Sequence, residues 1–216
     1  MSGHKIQVND LFFWTLESKK PYVVHQGGTS SGKTYAILQY LISLATKEED
    51  LIITVVGQDI PNLRVGAYRD AQNIIFSDPY CQQQLVNHNK SDRLFTFKKG
   101  SNIEFKSYND EIDARSGKRT HCFFNEANGI EYGIFEQISM RTSHQSIIDF
   151  NPSASFWAHE KLYGRDDVDW FVSTFRDNAF IQPSIREKIL LYEPTPENIK
   201  RGTANQYRWQ VYGLGS

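Results

Sequence analysis

The chain has 216 residues, of which 24 are lysine or arginine and 25 are aspartate or glutamate, and its formal net charge is −1. This balance excludes a polybasic protein that holds nucleic acid or a membrane by bulk charge, so any contact with a polyanion has to be local. Hydrophobic residues make up 39% of the chain. This is enough for one sizeable core, and we expect a single domain over residues 1–216.

Membrane and disulfide-rich proteins are also excluded. No stretch approaches the roughly 18 apolar residues of a membrane span, and the polar start, residues 1–10, lacks the apolar core of a secretory signal. Cys81 and Cys122 lie far apart and form no CxxC motif, which excludes a disulfide framework and a zinc knuckle. We therefore expect a soluble, intracellular protein without membrane contact.

The first half of the chain alternates predicted strands with predicted helices. Residues 21–26 form a short apolar strand, and apolar side chains at helical spacing follow over 33–45. The run 51–56, LIITVV, is nearly all apolar and β-branched, which is typical of a strand covered on both faces. A helix is predicted over 62–76.

The second half adds a hairpin, a loop and further alternation. The hairpin pairs 94–97 with 102–105 around a turn that contains glycine, and the polar stretch 108–120 is predicted to be a surface loop. Further strands are predicted over 121–125, 146–150 and 168–174, and helices over 132–140, 154–162 and from 183 onward. This pattern predicts an α/β fold with a mainly parallel central sheet and helices on both faces.

A glycine-rich motif lies between the first strand and the first helix. Residues 27–34, GGTSSGKT, match G-x4-G-K-[ST], the P-loop (Walker A) pattern, in which backbone N–H groups and a helix N-terminus surround phosphates. Lys33 is expected to reach the β- and γ-phosphates, and the Thr34 hydroxyl to bind Mg²⁺. The predicted nucleotide-binding residues are Gly27, Gly28, Thr29, Ser30, Ser31, Gly32, Lys33 and Thr34.

Two polar residues, Asn125 and Glu126, end the strand predicted over 121–125, where a nucleoside triphosphatase usually has two acids. Glu126 is the candidate general base, because a carboxylate accepts a proton from water and an amide does not. Asn125 holds the metal-side position, where its amide oxygen would bind Mg²⁺ through a water molecule. The alternative is a polar pair that only ends a strand.

Asn151 follows the strand predicted over 146–150. A polar residue at this place can put an amide near the γ-phosphate and report whether that phosphate is present. We therefore interpret Asn151 as a candidate sensor, with a simple Asn-Pro turn as the alternative.

Taken in this order, the three motifs resemble the ATPase domain of the large terminase subunit of tailed bacteriophages, the motor that pumps DNA into the capsid. The resemblance covers nearly the whole chain and includes the late segment 174–178, TFRDN. It implies a P-loop NTPase fold of the ASCE type, with residues 176–216 as a C-terminal helical lid or linker. It also implies that Glu126 is the catalytic carboxylate and that Asn151 couples hydrolysis to DNA movement.

The chain departs from the family at two positions. Thr29 stands where the family often has an arginine, and Asn125 where it has an acid. The first departure leaves the source of transition-state charge open. Arg115 is the first candidate for an arginine finger presented to a neighbouring subunit and Arg141 the second, with a solvated or salt-bridged surface arginine as the alternative for each. The second departure predicts weak metal binding and slow hydrolysis by the isolated chain.

The resemblance also implies cofactors and partners. These are ATP, Mg²⁺, double-stranded DNA, a homo-oligomeric ring that is pentameric in the family, the portal protein and the small terminase subunit. It implies the host cytoplasm, and transiently the procapsid vertex, as the location. Since no late cluster of acids lies on apolar strands, we expect no nuclease domain and no nuclease activity in these residues. A small-molecule kinase and a nucleotide-gated assembly module with little hydrolysis are the alternative functions.

Overall fold

In a computed structural model, which describes residues 7–216, the chain forms one eight-stranded sheet with helices on both sides. The first six residues of the predicted polar start lie outside this range. Within the described range, no helix is long and apolar enough to cross a membrane. The strands are β1 (Tyr22–Gly27), β2 (Ile52–Val56), β3 (Leu85–Asn89), β4 (Leu94–Phe97), β5 (Asn102–Lys106), β6 (Arg119–Phe124), β7 (Thr142–Phe150) and β8 (Val168–Ser173).

The helices connect these strands and form the C-terminal part of the chain. They are α1 (Asp10–Glu17), α2 (Lys33–Lys47), α3 (Ile60–Val65), α4 (Ala67–Ser77), α5 (Pro79–Gln84), α6 (Glu111–Ala114), α7 (Tyr132–Ser139), α8 (Trp157–Lys161), α9 (Pro183–Leu190), α10 (Pro196–Arg201) and α11 (Gln206–Arg208). A π-helical turn, Trp209–Leu214, follows α11.

The strand order is β3-β4-β5-β2-β6-β7-β1-β8. All neighbours pair in parallel except β3 with β4 and β4 with β5. The strand β7 lies between β1 and β6, which is the arrangement expected of the predicted ASCE type. Because β1, β6 and β7 are parallel, their carboxyl ends meet at one edge of the sheet, where ligands bind in open α/β folds.

Side chains of the central strands alternate between two cores. Val23, Ile53 and Phe123 pack into the core on the side of α2 and α4. Val24 and Phe124 pack into the core on the side of α7 and α8. Successive residues of a strand point to opposite faces, so two apolar faces require two covering layers. The predicted α/β fold with helices on both faces is thus confirmed.

The helix predicted over 62–76 is two helices, α3 and α4. The chain breaks at Gly66, whose backbone angles (φ −108°, ψ −111°) are not helical. The side chain of Asp59 caps α3 by accepting the N–H of Asn62, and Pro61 occupies the first turn. Apolar spacing continues through the break, which explains why periodicity alone did not reveal it.

The prediction of a surface loop over 108–120 is wrong in part, because α6 and the start of β6 lie within it. Asp110 accepts hydrogen bonds from the backbone N–H groups of Ile112 and Asp113 and starts the short helix α6. Arg119 opens β6 and is only 4% exposed. Its Nη2 donates to the Ser116 carbonyl at 3.0 Å, so a polar residue that looked like surface ties the loop to the sheet.

The start of β7 and the presence of β3 also differ from the prediction. β7 begins at Thr142, four residues earlier than predicted, because its polar first residues pair with β6, Thr142 with Arg119 and Gln145 with His121. The edge strand β3 was not predicted, since its sequence, LVNHN, carries few apolar residues, and it is held by antiparallel pairing with β4.

Candidate active site

The phosphate loop connects β1 to α2 and needs glycine for two reasons. Gly32, the residue before α2, has φ +84°, a conformation that L side chains rarely adopt. A Cβ atom on Gly28 would lie 2.5 Å from the Tyr212 carbonyl oxygen and 2.8 Å from that of Val211. The loop is therefore packed tightly against the π-helical turn near the C-terminus.

Lys33 is the first residue of α2 and is only 7% exposed. Its Nζ donates to the carbonyl oxygens of Gly27 at 2.9 Å and Gly28 at 3.2 Å, and to Asn151 Oδ1 at 3.0 Å. Burial lowers the pKa of the ammonium group to about 8, while the carboxylates of Asp149 and Glu126 oppose this shift. The two carboxylates that stabilise the Lys33 ammonium, Asp149 and Glu126, lie in the same site as the lysine.

The Thr34 hydroxyl is held by an aspartate that was not predicted from the sequence. Thr34 Oγ1 donates to Asp149 Oδ2 at 2.5 Å. The other oxygen, Asp149 Oδ1, accepts from Asn125 Nδ2 at 3.1 Å and from the Glu126 backbone N–H at 2.7 Å. Asp149 is 1% exposed, and burial raises the pKa of its carboxyl group while Lys33 and these hydrogen bonds lower it.

Glu126 follows β6 and has a left-handed backbone, φ +52° and ψ +53°. Such a conformation is rare for a residue other than glycine, and it persists only where the surroundings fix it. Here the Glu126 N–H is held by Asp149. Burial, and then the nearby Asp149 carboxylate, raise the pKa of the Glu126 carboxyl group, while Lys33 lowers it. A carboxylate with a raised pKa is a better proton acceptor.

These side chains line one cleft of about 240 Å³ at the carboxyl edge of the sheet. The residues around it come from the phosphate loop, from α2 and α4, and from the ends of β6 and β7: Thr29, Ser30, Gly32, Lys33, Thr34, Tyr35, Asp70, Glu126, Asp149, Phe150 and Asn151. Asn178, in the segment TFRDN, donates its side-chain N–H to the Ser30 carbonyl at 2.8 Å and so supports the loop from outside.

A family model described as phage terminase large subunit matches residues 19–214 of the chain. The chain belongs to this family. No curated protein sequence matches this terminase chain.

Three solved structures share the fold. They are the large terminase of a thermophilic bacteriophage (15% identity, TM-score 0.71, covering 96% of this chain and 52% of that one), the HK97 bacteriophage large terminase (13%, 0.66, 100% and 52%) and the large terminase ATPase domain of Thermus phage P74-26 (16%, 0.59, 98% and 94%). The first of these proteins has also been solved with ADP and with ATP-gamma-S. The terminase chain described here spans about half the length of the first two proteins.

The two arginines predicted as fingers lie away from this cleft. Arg115 directly follows α6, before the amino end of β6, and is exposed. Arg141 directly precedes β7, and its Nη1 donates to the carbonyl and side-chain oxygens of Gln137 at 2.8 and 3.0 Å. β7 has nine residues, so that Arg141 and Asn151 are separated by roughly 30 Å. Neither arginine is among the residues that line the cleft of this terminase chain.

Asp149 lines the cleft but was not predicted from the sequence. The available signal was a charged residue inside the apolar run IIDF, since a buried carboxylate at the end of a parallel strand needs partners. Asp149 also lies two residues before Asn151, and alternation puts both on the same side of β7. Asn125 does not line the cleft, but its Nδ2 contacts Thr34 and Asp149, which do. Thr29 lines the cleft and is exposed.

Proposed function

We propose that this terminase chain hydrolyses ATP and couples hydrolysis to the translocation of double-stranded DNA into a procapsid. The observation that carries the proposal is the convergence of Lys33, Thr34, Glu126 and Asn151 on one cleft from the ends of three neighbouring strands. The family match over 19–214 and the nucleotide complexes of the thermophilic bacteriophage terminase support ATP as the ligand and favour this function over a small-molecule kinase.

In this proposal the phosphate loop binds the triphosphate. Its backbone N–H groups and the N-terminus of α2 supply positive partial charge, and the Lys33 ammonium supplies a full one. Lys33 already points toward the loop, as its bonds to the Gly27 and Gly28 carbonyls show. Little reorganisation is then needed when phosphate oxygens replace these acceptors.

The donor set at Thr34 fits Mg²⁺, which prefers hard oxygen ligands. The Thr34 hydroxyl donates its hydrogen to Asp149 and accepts from Asn125 Nδ2 at 3.4 Å, so one lone pair of Oγ1 remains available for a cation. When bound, Mg²⁺ would neutralise charge on the phosphate oxygens. Thr34 would hold it directly, and no other resident metal is proposed.

Glu126 acts as the general base. Its backbone is fixed by the bond from its N–H to Asp149, while its side chain faces the cleft. The carboxylate therefore takes a proton from a water molecule that attacks the γ-phosphate. The raised pKa of the carboxyl group improves this proton transfer.

Asn151 reports the presence of the γ-phosphate. Its Oδ1 shares the Lys33 ammonium with the loop carbonyls. A phosphate oxygen at Lys33 competes with Asn151 for the same N–H donors, so the partner of Asn151 changes between ATP and ADP. The chain after β7 would carry this change toward DNA.

Arg115 supplies the missing positive charge to a neighbouring subunit. Its exposure and its absence from the residues that line the cleft favour action between subunits over action within one. This requires a homo-oligomeric ring, and we propose a pentamer that works with the portal protein and the small terminase subunit. The ring would form in the host cytoplasm and bind transiently at the procapsid vertex.

The decisive experiment measures phosphate release with and without double-stranded DNA for the chain, for Glu126→Gln and for Glu131→Gln. Removal of a general base lowers turnover by about 10²- to 10⁴-fold, so Glu126→Gln should lose hydrolysis and keep ATP binding. The exposed Glu131 is a matched control and should behave like the wild type. Absence of turnover in the wild-type chain despite ATP binding would contradict the proposal and favour the assembly module.

We further propose that these residues do not cleave DNA. Incubation with plasmid and Mn²⁺ tests this, and reproducible metal-dependent cleavage would contradict it.

A further inference from the structure

The acid that the sequence lacks at position 125 has a counterpart on the neighbouring strand. Asn125 ends β6 and Asp149 lies near the end of β7, the adjacent parallel strand. The two side chains are in direct contact, with 3.1 Å between Asn125 Nδ2 and Asp149 Oδ1. A carboxylate at 149 therefore occupies nearly the same region of the cleft as one at 125 would.

The hydrogen bonds distinguish the two residues chemically. Asn125 presents its Nδ2 to Thr34 Oγ1 at 3.4 Å and to Asp149 Oδ1. Asn125 therefore acts as a donor toward this side of the cleft, whereas a metal-bound water molecule needs an acceptor. Asp149 provides that acceptor, since its Oδ2 binds the Thr34 hydroxyl directly. A group bound to Thr34 would lie beside the Asp149 carboxylate.

Charge explains why one of the two positions is an amide. An aspartate at both 125 and 149 would bring two buried carboxylates to hydrogen-bond distance, and like charges at that separation repel strongly. With asparagine at 125, the pair instead forms a hydrogen bond between amide and carboxylate. The Lys33 ammonium opposes the remaining negative charge.

From this arrangement we propose that Asp149 is the metal-positioning carboxylate of the site, and that Asn125 and Asp149 have exchanged the amide and the acid between neighbouring strands. The inference rests on the proposed function, because it concerns the same ATP and Mg²⁺ site. It replaces the prediction that Asn125 binds Mg²⁺ through water and removes the reason to expect weak metal binding.

The test measures ATP affinity in Mg²⁺ and in EDTA, in a Glu126→Gln background that prevents hydrolysis. The readout is the Kd for ATP in EDTA divided by the Kd for ATP in Mg²⁺, which measures how much Mg²⁺ improves binding. Loss of a carboxylate that orients metal ligands typically costs about 10- to 100-fold in metal affinity. Asp149→Asn should therefore reduce the ratio by about that factor, or until Mg²⁺ no longer improves binding. The unmodified pair in the same background is the matched control.

The exchanged variant Asn125→Asp/Asp149→Asn restores one acid and one amide. It should recover most of the Mg²⁺ response, whereas Asn125→Asp alone should fold less stably than the control. If Asp149→Asn fails to fold, recovery in the exchanged variant still supports the proposal. An unchanged Mg²⁺ response in folded Asp149→Asn, or no response in the folded exchanged variant, would overturn it. Absence of ATP binding in the control would contradict the proposed function itself.

Discussion

His25 is buried in β1, two residues before the phosphate loop, and its ring nitrogens have different surroundings. Thr15 Oγ1 donates to the Leu11 carbonyl at 2.8 Å, so it has no hydrogen left for His25. His25 Nε2, 2.9 Å from the same oxygen, must then be the donor. Nδ1 is consequently unprotonated, and it is buried without a hydrogen-bond partner within residues 7–216.

Protonation of His25 would place a charged N–H group in this dry environment. Burial, and then the Lys33 charge, lower the pKa of His25 from 6.5 to about 3. In the unfolded chain the imidazole binds a proton below about pH 6.5, while in the folded chain it stays neutral. The free energy of unfolding therefore falls by about 1.4 kcal/mol for each pH unit below 6.5. Since it hardly changes above pH 6.5, the total loss between pH 7.5 and pH 5 is about 2 kcal/mol.

The measurement is urea unfolding at about pH 7.5 and about pH 5. His25→Phe keeps a flat ring beside Phe171 and removes the titration, so its loss of stability between the two pH values should be smaller than that of the wild type by about 2 kcal/mol. Thr15→Val is the control, because it removes the partner and keeps the buried imidazole; it should retain the wild-type pH dependence. Equal pH dependence of His25→Phe and the wild type would refute the argument.

Three further results are expected. Lys33→Ala should weaken ATP binding by about tenfold to 100-fold, since hydrogen bonds to a charged group are lost, and an unchanged Kd would place the lysine outside the site. Gly28→Ala puts a methyl group 2.5 Å from the Tyr212 carbonyl oxygen; it should lower the free energy of unfolding by about 1–3 kcal/mol, and wild-type stability in urea would show that the turn yields freely. Subunits with Arg115→Ala should be inactive alone and regain ATPase activity when mixed with Lys33→Ala subunits, whereas Arg141→Ala should remain active; failure to recover activity would argue against a shared site.

The predicted strands and the phosphate loop followed from local signals. Apolar runs such as 51–56 and the glycine spacing of 27–34 depend on residues close together in the chain. The break at Gly66 could not be predicted from apolar spacing, because buried side chains such as Leu63 before it and Ala67 after it continue the helical pattern. Arg119 was assigned to the surface because nothing in its neighbourhood showed that the carbonyls of Ser116 and Ile138 would accept hydrogen bonds from its side chain.

Most of the residues that line the cleft could be predicted from the sequence, but the contacts between them could not. Lys33, Glu126 and Asn151 were predicted because each follows a strand and fits a known chemical role, and all three line the cleft. Asp149 was missed because its importance depends on contacts with Thr34 and Asn125, 115 and 24 residues away in the chain. Such contacts appear only when β7 is inserted between β1 and β6.

The contact between Asn125 and Asp149 has a consequence for how related sequences evolve. If one region of space needs a single carboxylate, either strand end can supply it, and the two positions should change together across relatives. A chain with an acid at the position of Asn125 is then expected to carry a neutral residue at that of Asp149. Searches that require an acid in one sequence column would classify chains like this one as inactive, although their fold supplies the same group from the adjacent column.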